Sequence, residues 1–205
     1  SQMPQDRGVI VDGNLVAPEA LTANIKTLFK DFKGRRKGVV TSLSGDAVIV
    51  KKVTMANMDE AELRETIHDE AGKYLPFDNM DEVNFDFQIL GPNEYNPNQM
   101  DVLLVAAKTD IVSRYTQAVE AAGLRVVIMD ADAFALETMY EANYDVGEDE
   151  VAVMVNIGAS ITNINVVKGG ASIFTRDFLL GGNAVTEAIA ARLGLSFADA
   201  EKIKV

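Results

Sequence analysis

The 205-residue sequence has no cysteine, no tryptophan and one histidine, His68. Without thiols there is no disulfide, no thiolate zinc site and no cysteine nucleophile, and the usage fits a reducing compartment. A single histidine excludes a His-rich metal centre and a relay between two histidines. A Ser-His-Asp triad needs only one, yet no serine in the sequence neighbourhood of His68 makes a recognisable nucleophile turn, so His68 reads as a surface or boundary residue. Positive charge is also scarce: 19 Lys and Arg stand against 31 Asp and Glu, a net charge of −12. That field repels polyanions and anionic lipid surfaces and argues against nucleic acid as a partner. The one basic run, Lys33, Arg35, Arg36 and Lys37, is short. No apolar stretch approaches the ~18 residues that span a bilayer, and the segment Val102 to Ala107 is bounded at once by Asp101 and Lys108. The first seven residues lack the basic and apolar regions of a secretory signal. A soluble, cytoplasmic protein is expected. Hydrophobic residues make up 48% and charged residues 24%, the composition of a folded protein with a sizeable core. The start at Ser1 and the stop at Lys204-Val205 without a helix-ending residue suggest part of a longer protein.

Several elements follow from spacing. Pro18 suits a first helical position, and Leu21, Ile25, Leu28, Phe29 and Phe32 recur at helical intervals up to Gly34. The runs Val39 to Leu43 and Ala47 to Val53 read as a hairpin joined at Ser44-Gly45-Asp46. Residues 59–74 form an amphipathic helix with Leu63, Ile67, Ala71 and Tyr74 on its stripe, Asn57 or Asp59 as cap and Pro76 beyond. Val83 to Ile89 alternates apolar and polar as a half-buried strand, residues 91–99 are turn chemistry, and Met100 to Ala107 is a more apolar, central strand. Thr109-Asp110 caps a helix stopped by Gly123. Leu124 to Met129 is a buried strand, residues 132–144 a helix, and 145–150, with Glu148, Asp149 and Glu150, an acidic loop suited to a boundary. Met129, Met139 and Met154 fall on apolar positions and read as core filling. Asp130 and Asp132 occupy the strand-to-helix corner where an α/β fold places functional carboxylates, although helix capping accounts equally well for Asp132.

After residue 150 the pattern changes to three strands in quick succession: Val151 to Ile157, Ile161 to Lys168 and Ala171 to Leu179. Gly158-Ala159-Ser160 and Gly169-Gly170 join them as antiparallel hairpins. The first tip offers backbone N–H groups and a hydroxyl, a possible anion nest, and Thr162 and Asn163 follow. Gly181-Gly182-Asn183 then opens a helix, stopped by Gly194, whose N-terminus is a second anion-favouring feature. Ser196 with Asp199 resembles a capping box. Taken singly, each glycine has a plain structural reading as a hairpin or strand-to-helix joint.

Their combination carries a resemblance. The order of Asn156-Ile157-Gly158-Ala159-Ser160 between strands, then Gly181-Gly182-Asn183 and Glu201-x-x-Lys204, resembles the second phosphate hairpin and ribose-side helix of the actin-like ATPases. Within them it is most similar to the FtsA-like PilM family of type IV pilus assembly. Val48 to Val53, Tyr74 to Asp78, Met100 to Lys108, Asp130 to Leu136 and Phe174 to Asp177 resemble that family too. The resemblance implies an actin-like (ribonuclease H-like) α/β fold, incomplete, with a small inserted α/β subdomain. Residues 1–46 and 124–150 would belong to the first lobe (IA), 47–123 to the insert (IC) and 151–205 to the start of the second lobe (IIA). The first-lobe phosphate hairpin and the adenosine-side diglycine would lie before Ser1 and after Val205.

The resemblance further implies ATP with Mg²⁺ as cofactor of the full-length protein, with weaker or no binding to this chain, where one half of the clamp is missing. Gly158, Ala159, Ser160, Thr162, Asn163, Gly181, Gly182, Asn183, Glu201 and Lys204 would contact nucleotide, and Asn156 would reach the metal through water. Actin and FtsA carry aspartate at the position of Asn156; an amide keeps hydrogen bonds and loses the charge, so a nucleotide-binding scaffold with weak or absent hydrolysis is expected. The implied partner is the cytoplasmic N-terminal segment of the membrane protein PilN, taken in a groove that could use the insert's sheet edge. Val48, Val50, Tyr74, Leu75, Pro76 and Phe77 are the residues assigned to that groove. The role would be an adaptor between the pilus assembly motors and the inner membrane, reached only through PilN. An FtsA-like polymerising ATPase or a small-molecule kinase of the same fold is the alternative.

Overall fold

In the computed structural model, described here for all residues except Ser1, Gln2, Pro4, Lys33, Arg35, Arg36, Val146, Glu148 and Val205, Asp12 and Gly13 both have positive φ, 51° and 85°. That pair makes a tight turn between β1 (Ile10–Val11) and β2 (Asn14–Leu15), the turn type whose twist suits a two-residue hairpin. A Cβ at Gly13 would overlap the Ser44 carbonyl, so the position is closed to any side chain. The basic run, Lys37 apart, lies outside the described residues.

The contacts divide the chain into Ser1–Ala131 and Asp132–Val205. In the first unit, α1 (Pro18–Phe29) begins on its proline, and β3 (Gly38–Leu43) follows. Helix α1 ends at Phe29, earlier than the Gly34 stop expected, and Phe32 is exposed with its ring edge against Phe29. The expected hairpin from β3 to the next strand does not form. Gly45–Ala47 is a single 3₁₀ turn, tied by the Asp46 N–H to the Asp12 carbonyl, and it sends the chain into a different sheet. There β4 (Ile49–Ala56), β5 (Val83–Pro92) and β6 (Gln99–Lys108) form an antiparallel sheet, order β4-β6-β5, with β6 central, and α2 (Glu60–Gly72) lies between β4 and β5 in the chain. Helix α2 starts where the Asp59 carboxylate accepts from the Glu62 N–H, satisfying one orphan donor of the first turn. Its stripe Leu63, Ile67 and Ala71 packs on Val53, Met55, Val102 and Leu104 to make one core.

The chain then returns through α3 (Thr109–Ala121) and β7 (Arg125–Ala131), and β7 pairs parallel with β3. Thr109 is the first helical residue and not the cap; Asn84 donates to its hydroxyl, and the capping position is Lys108. Gly123, at φ 87°, ends the helix as expected. A second core gathers Val9, Leu15, Leu43, Ala47, Ala107, Tyr115 and Ala118. Strand β7 is not buried as expected: Val127 and Ile128 are about half exposed, because β3 and β7 form only a two-stranded sheet among the described residues.

The second unit begins with α4 (Asp132–Asn143) and continues with β8 (Val151–Ile157), β9 (Thr162–Lys168) and β10 (Ala171–Phe178), antiparallel in the order β10-β9-β8. Helices α5 (Gly182–Leu193) and α6 (Phe197–Lys204) follow, with Gly194 left-handed between them. Ser196 accepts from the Asp199 N–H as a cap, while its hydroxyl donates to the Asp199 carboxylate in place of the reciprocal capping-box bond. Met139 is about half exposed and so fills no core, unlike Met129 and Met154, which are partly buried.

Candidate functional site

The β8–β9 turn and the start of α5 are bonded into one cluster. The Gly158 N–H donates to the Ile161 carbonyl at 2.9 Å, closing the turn. The Gly182 N–H donates to the Gly158 carbonyl at 2.9 Å, and the Asn183 N–H to the Ala159 carbonyl at 2.8 Å. The Asn183 amide also donates to the Ser160 hydroxyl at 3.0 Å. Thr162 donates its hydroxyl to the Leu180 carbonyl at 2.6 Å. Gly181 is required by this approach: a Cβ there would lie 2.5 Å from the Gly158 oxygen and 2.7 Å from the Ala159 oxygen. Ala159, Ser160 and Asn183 therefore meet at one exposed tip, beside the N-terminus of a twelve-residue helix.

Helix α6 joins this cluster. Thr186, fully buried, has its one hydroxyl proton between the Gly182 carbonyl and the Glu201 carboxylate, both within hydrogen-bond reach of its oxygen. Lys204 donates to the Gly182 carbonyl at 3.2 Å and pairs with Glu201 at 2.8 Å. The Lys204 ammonium, and then the Thr186 hydroxyl, hold the Glu201 carboxyl below its ordinary range. Lys204 is thus a fixed positive charge directly above the diglycine.

Beneath the tip, Asn156, Asn163 and Asp177 face one another across β8, β9 and β10. Asn156 donates to Asn163 at 3.0 Å, and Asn163 donates to Asp177 at 2.8 Å. Asn163 is 2% exposed, so its side chain lies under the tip and supports it. One layer deeper, Asn165 donates to Glu137 and to the Ala133 carbonyl and accepts from Ser172. Among the described residues no group of three His, Asp or Glu side chains gathers to ligate a metal. Magnesium keeps much of its water shell, and the outward oxygen of exposed Asn156 fits an acceptor for such a water.

The ten residues assigned to nucleotide, and Asn156, all fall within the second unit. Hydrogen bonds link Gly158, Gly182, Glu201 and Lys204, join Ala159 and Ser160 to Asn183, and pair Asn156 with Asn163, while Thr162 bonds to Leu180 and Gly181 is held by its close approach to the turn. Asp177, Thr186 and the Asn165 layer were not singled out by sequence reasoning. The sequence matches the family model "Type IV pilus assembly protein PilM" over residues 1–205. The chain belongs to the PilM family. It is similar to a solved PilM–PilN type IV pilus biogenesis complex, with 31% identity, a TM-score of 0.81 and coverage of 98% of this chain and 60% of that one. It is similar in fold to the cytoplasmic domain of EpsL, an inner membrane component of the Vibrio cholerae type II secretion system. There the identity is 13%, the TM-score 0.51, and the coverage 87% of this chain and 63% of that one. This PilM-family chain thus has the α/β fold of the solved PilM in part, spanning about three-fifths of that relative.

The residues assigned to a partner groove lie in the first unit. Strand β4 pairs only with β6, so its other edge is open among the described residues. Leu75 is buried in the core under that sheet, Tyr74 and Phe77 pack against it, and Pro76 is exposed. Tyr74 donates its hydroxyl to the Thr54 carbonyl at 3.1 Å, and Lys51 donates to the Tyr74 carbonyl at 2.7 Å. The Tyr74 corner is therefore strapped onto β4, while Val48 and Val50 are half-buried. His68 is exposed, with Asp81 at 3.7 Å and Asp69 at 3.8 Å. Asp130 accepts from the Ala131 N–H, and Asp132 is the first residue of α4. No helix among the described residues is long and apolar enough to cross a membrane.

Proposed function

We propose that this chain is part of a cytoplasmic, nucleotide-binding adaptor of type IV pilus assembly. It captures the N-terminal segment of PilN and so links the inner-membrane complex to the assembly motors. The observation that carries the reading is the match over 98% of the chain to a PilM known in complex with PilN. Residues 1–46 and 124–150 would be first lobe, 47–123 the insert and 151–205 the start of the second lobe. The free edge of β4, with Val48, Val50 and the Tyr74–Phe77 corner, suits an extended peptide added as a strand.

ATP with magnesium is the proposed ligand of the tip. The first N–H groups of α5 are engaged by the turn, so what favours phosphate-rich anions at the tip is the positive end of the α5 dipole, together with the Lys204 ammonium, which a phosphate could share with Glu201. Magnesium would supply charge neutralisation of those phosphates, held through water by Asn156. The neutral amide there suits retention of nucleotide over its hydrolysis. The test is calorimetric titration of the chain with a synthetic PilN N-terminal peptide, with and without MgATP, against a peptide lacking its central asparagine. Saturable binding lost in the control is expected; no heat from the folded chain would refute a self-sufficient groove.

A further inference from the structure

The Asn156–Asn163–Asp177 ladder has a direction. A primary amide donates only through nitrogen and accepts only through oxygen, and an ionised carboxylate only accepts. With Asp177 at one end, Asn163 must turn its nitrogen towards β10 and its oxygen towards β8. Asn156 must then give its nitrogen to Asn163, which leaves its own oxygen facing outward. The reversed ladder would set the Asn163 oxygen against a carboxylate, and would turn the Asn156 oxygen inward and its nitrogen outward. Asn163 is 2% exposed, so water cannot repair that mismatch, and an unsatisfied buried polar group is costly.

We infer that Asp177 sets the polarity of this ladder, so that Asn156 presents an oxygen, polarised by Asp177 through the ladder, to the hydrated cation of a bound nucleotide. Asp177 acts through two amides and touches no ligand; it is a positioning residue. Chains of hydrogen bonds polarise one another in a low-dielectric setting, so the outward oxygen is a stronger acceptor than that of an isolated asparagine. Waters on a cation donate hydrogen bonds, and an outward NH₂ would oppose them. The inference rests on the nucleotide reading above, but the polarity of the ladder can be measured without nucleotide.

Three variants separate the possibilities. Asp177→Asn leaves an amide oxygen to accept from Asn163 and removes the charge that fixes the polarity, so the fold should survive. Asn156→Asp leaves two carboxylates competing for one amide and should lower the melting temperature. The double variant N156D/D177N reverses the whole ladder, satisfies it again, and should recover most of that loss. If Asn156→Asp melts like the parent, or the double variant fails to recover, the assigned polarity is wrong. Fluorescence titration of the protein with MgATP, and with ATP in EDTA, reads the second half. Asp177→Asn should weaken MgATP binding on the order of fivefold, a modest coupling between sites, and leave metal-free ATP unchanged. The double variant, with its charge moved to position 156, should bind MgATP at least as tightly as the parent. An unchanged magnesium increment in Asp177→Asn overturns the inference and leaves the nucleotide reading intact. Failure of the parent to bind ATP overturns the nucleotide reading and the inference with it, and the melting data then show whether the ladder itself was read correctly.

Discussion

Gly181 and Gly182 are adjacent, and the structure assigns them opposite tolerances. A methyl group at position 181 would sit 2.5 Å from the Gly158 oxygen, 2.7 Å from the Ala159 oxygen and 2.8 Å from the Ala159 carbonyl carbon, all of them backbone atoms. The turn must retreat by nearly an ångström to restore ordinary contact, which stretches the Gly182-to-Gly158 and Asn183-to-Ala159 bonds. Two weakened backbone bonds at ~1 kcal/mol each, together with overpacking worth ~1–3 kcal/mol, predict that Gly181→Ala destabilises by about 2–4 kcal/mol. The φ of Gly181, −157°, is open to any residue, so the cost is steric. At position 182 the nearest atom is the terminal nitrogen of the Lys204 side chain, 3.3 Å away, where a shift of a few tenths of an ångström suffices, and the Gly158 oxygen is 3.7 Å away. Gly182→Ala should therefore fall within ~1 kcal/mol of the parent, since alanine is the better helix former. Urea unfolding followed by circular dichroism and tyrosine fluorescence at neutral pH measures both. Equal costs, or a larger cost at 182, would refute the close approach between the turn and α5.

Other outcomes follow from the same geometry. Asp101 accepts from Lys52, Asn93 and Thr54, and the Lys52 ammonium, first among these, holds its carboxyl at about 2 against an ordinary 3.8. A depressed folded-state value stabilises above the unfolded pKa and is lost as pH falls through the folded one. Unfolding free energy should thus drop by about 1–2 kcal/mol between pH 4 and 2, after allowance for the half-exposed Lys52, and Asp101→Asn should flatten that slope in acid titrations followed by urea unfolding. Leu63→Ala, at a fully buried position under the β4-β6-β5 sheet, should cost about 2–5 kcal/mol in urea unfolding. Thr186→Val keeps the volume but deprives the Gly182 carbonyl and Glu201 of a donor; a loss of about 1–2 kcal/mol in urea unfolding is expected.

Where residue period and element agree, the fold was legible: α2, β5, the central β6, the Gly123 and Gly194 stops and the three antiparallel strands after residue 150 all follow from spacing. The failures share a cause, partners distant in sequence. Ser44-Gly45-Asp46 has turn chemistry, but a turn signal does not say which strand the next one joins. Strand β3 finds its partner in β7, with β4 to α3 lying between them in the chain. The Asp12-Gly13 dipeptide is a hairpin signal, but its flanking strands of two residues each are too short to show alternation. The glycines of the candidate site were legible because close backbone approach needs glycine. Asp177 was not. Counting back from the Gly169-Gly170 turn places it opposite Thr162, on the other face of the sheet. A register shift between Ser172 and Phe174 moves it opposite Asn163, and one residue of slip reverses every side chain beyond it.

That shift bears on why the second unit is built as it is. Its most buried side chains include Asn163, Asn165, Ser172 and Thr186, with Glu137 close behind. Among the described residues no buried side-chain nitrogen or oxygen lacks a partner. Valine or leucine at those positions would hold the sheet at least as well, since a satisfied buried polar group is at best a small net gain over an apolar one. Direction is what an apolar core cannot supply: hydrophobic contact fixes distance and volume but not which atom of a side chain faces out. Without the bulge, Asp177 would leave the Asn163 face and the ladder would lose its charged end. The buried Asn163 amide is therefore best explained by the group it orients, the side chain of exposed Asn156 at the end of the ladder, while buried Thr186 ties the Gly182 carbonyl to Glu201 beside the Lys204 charge.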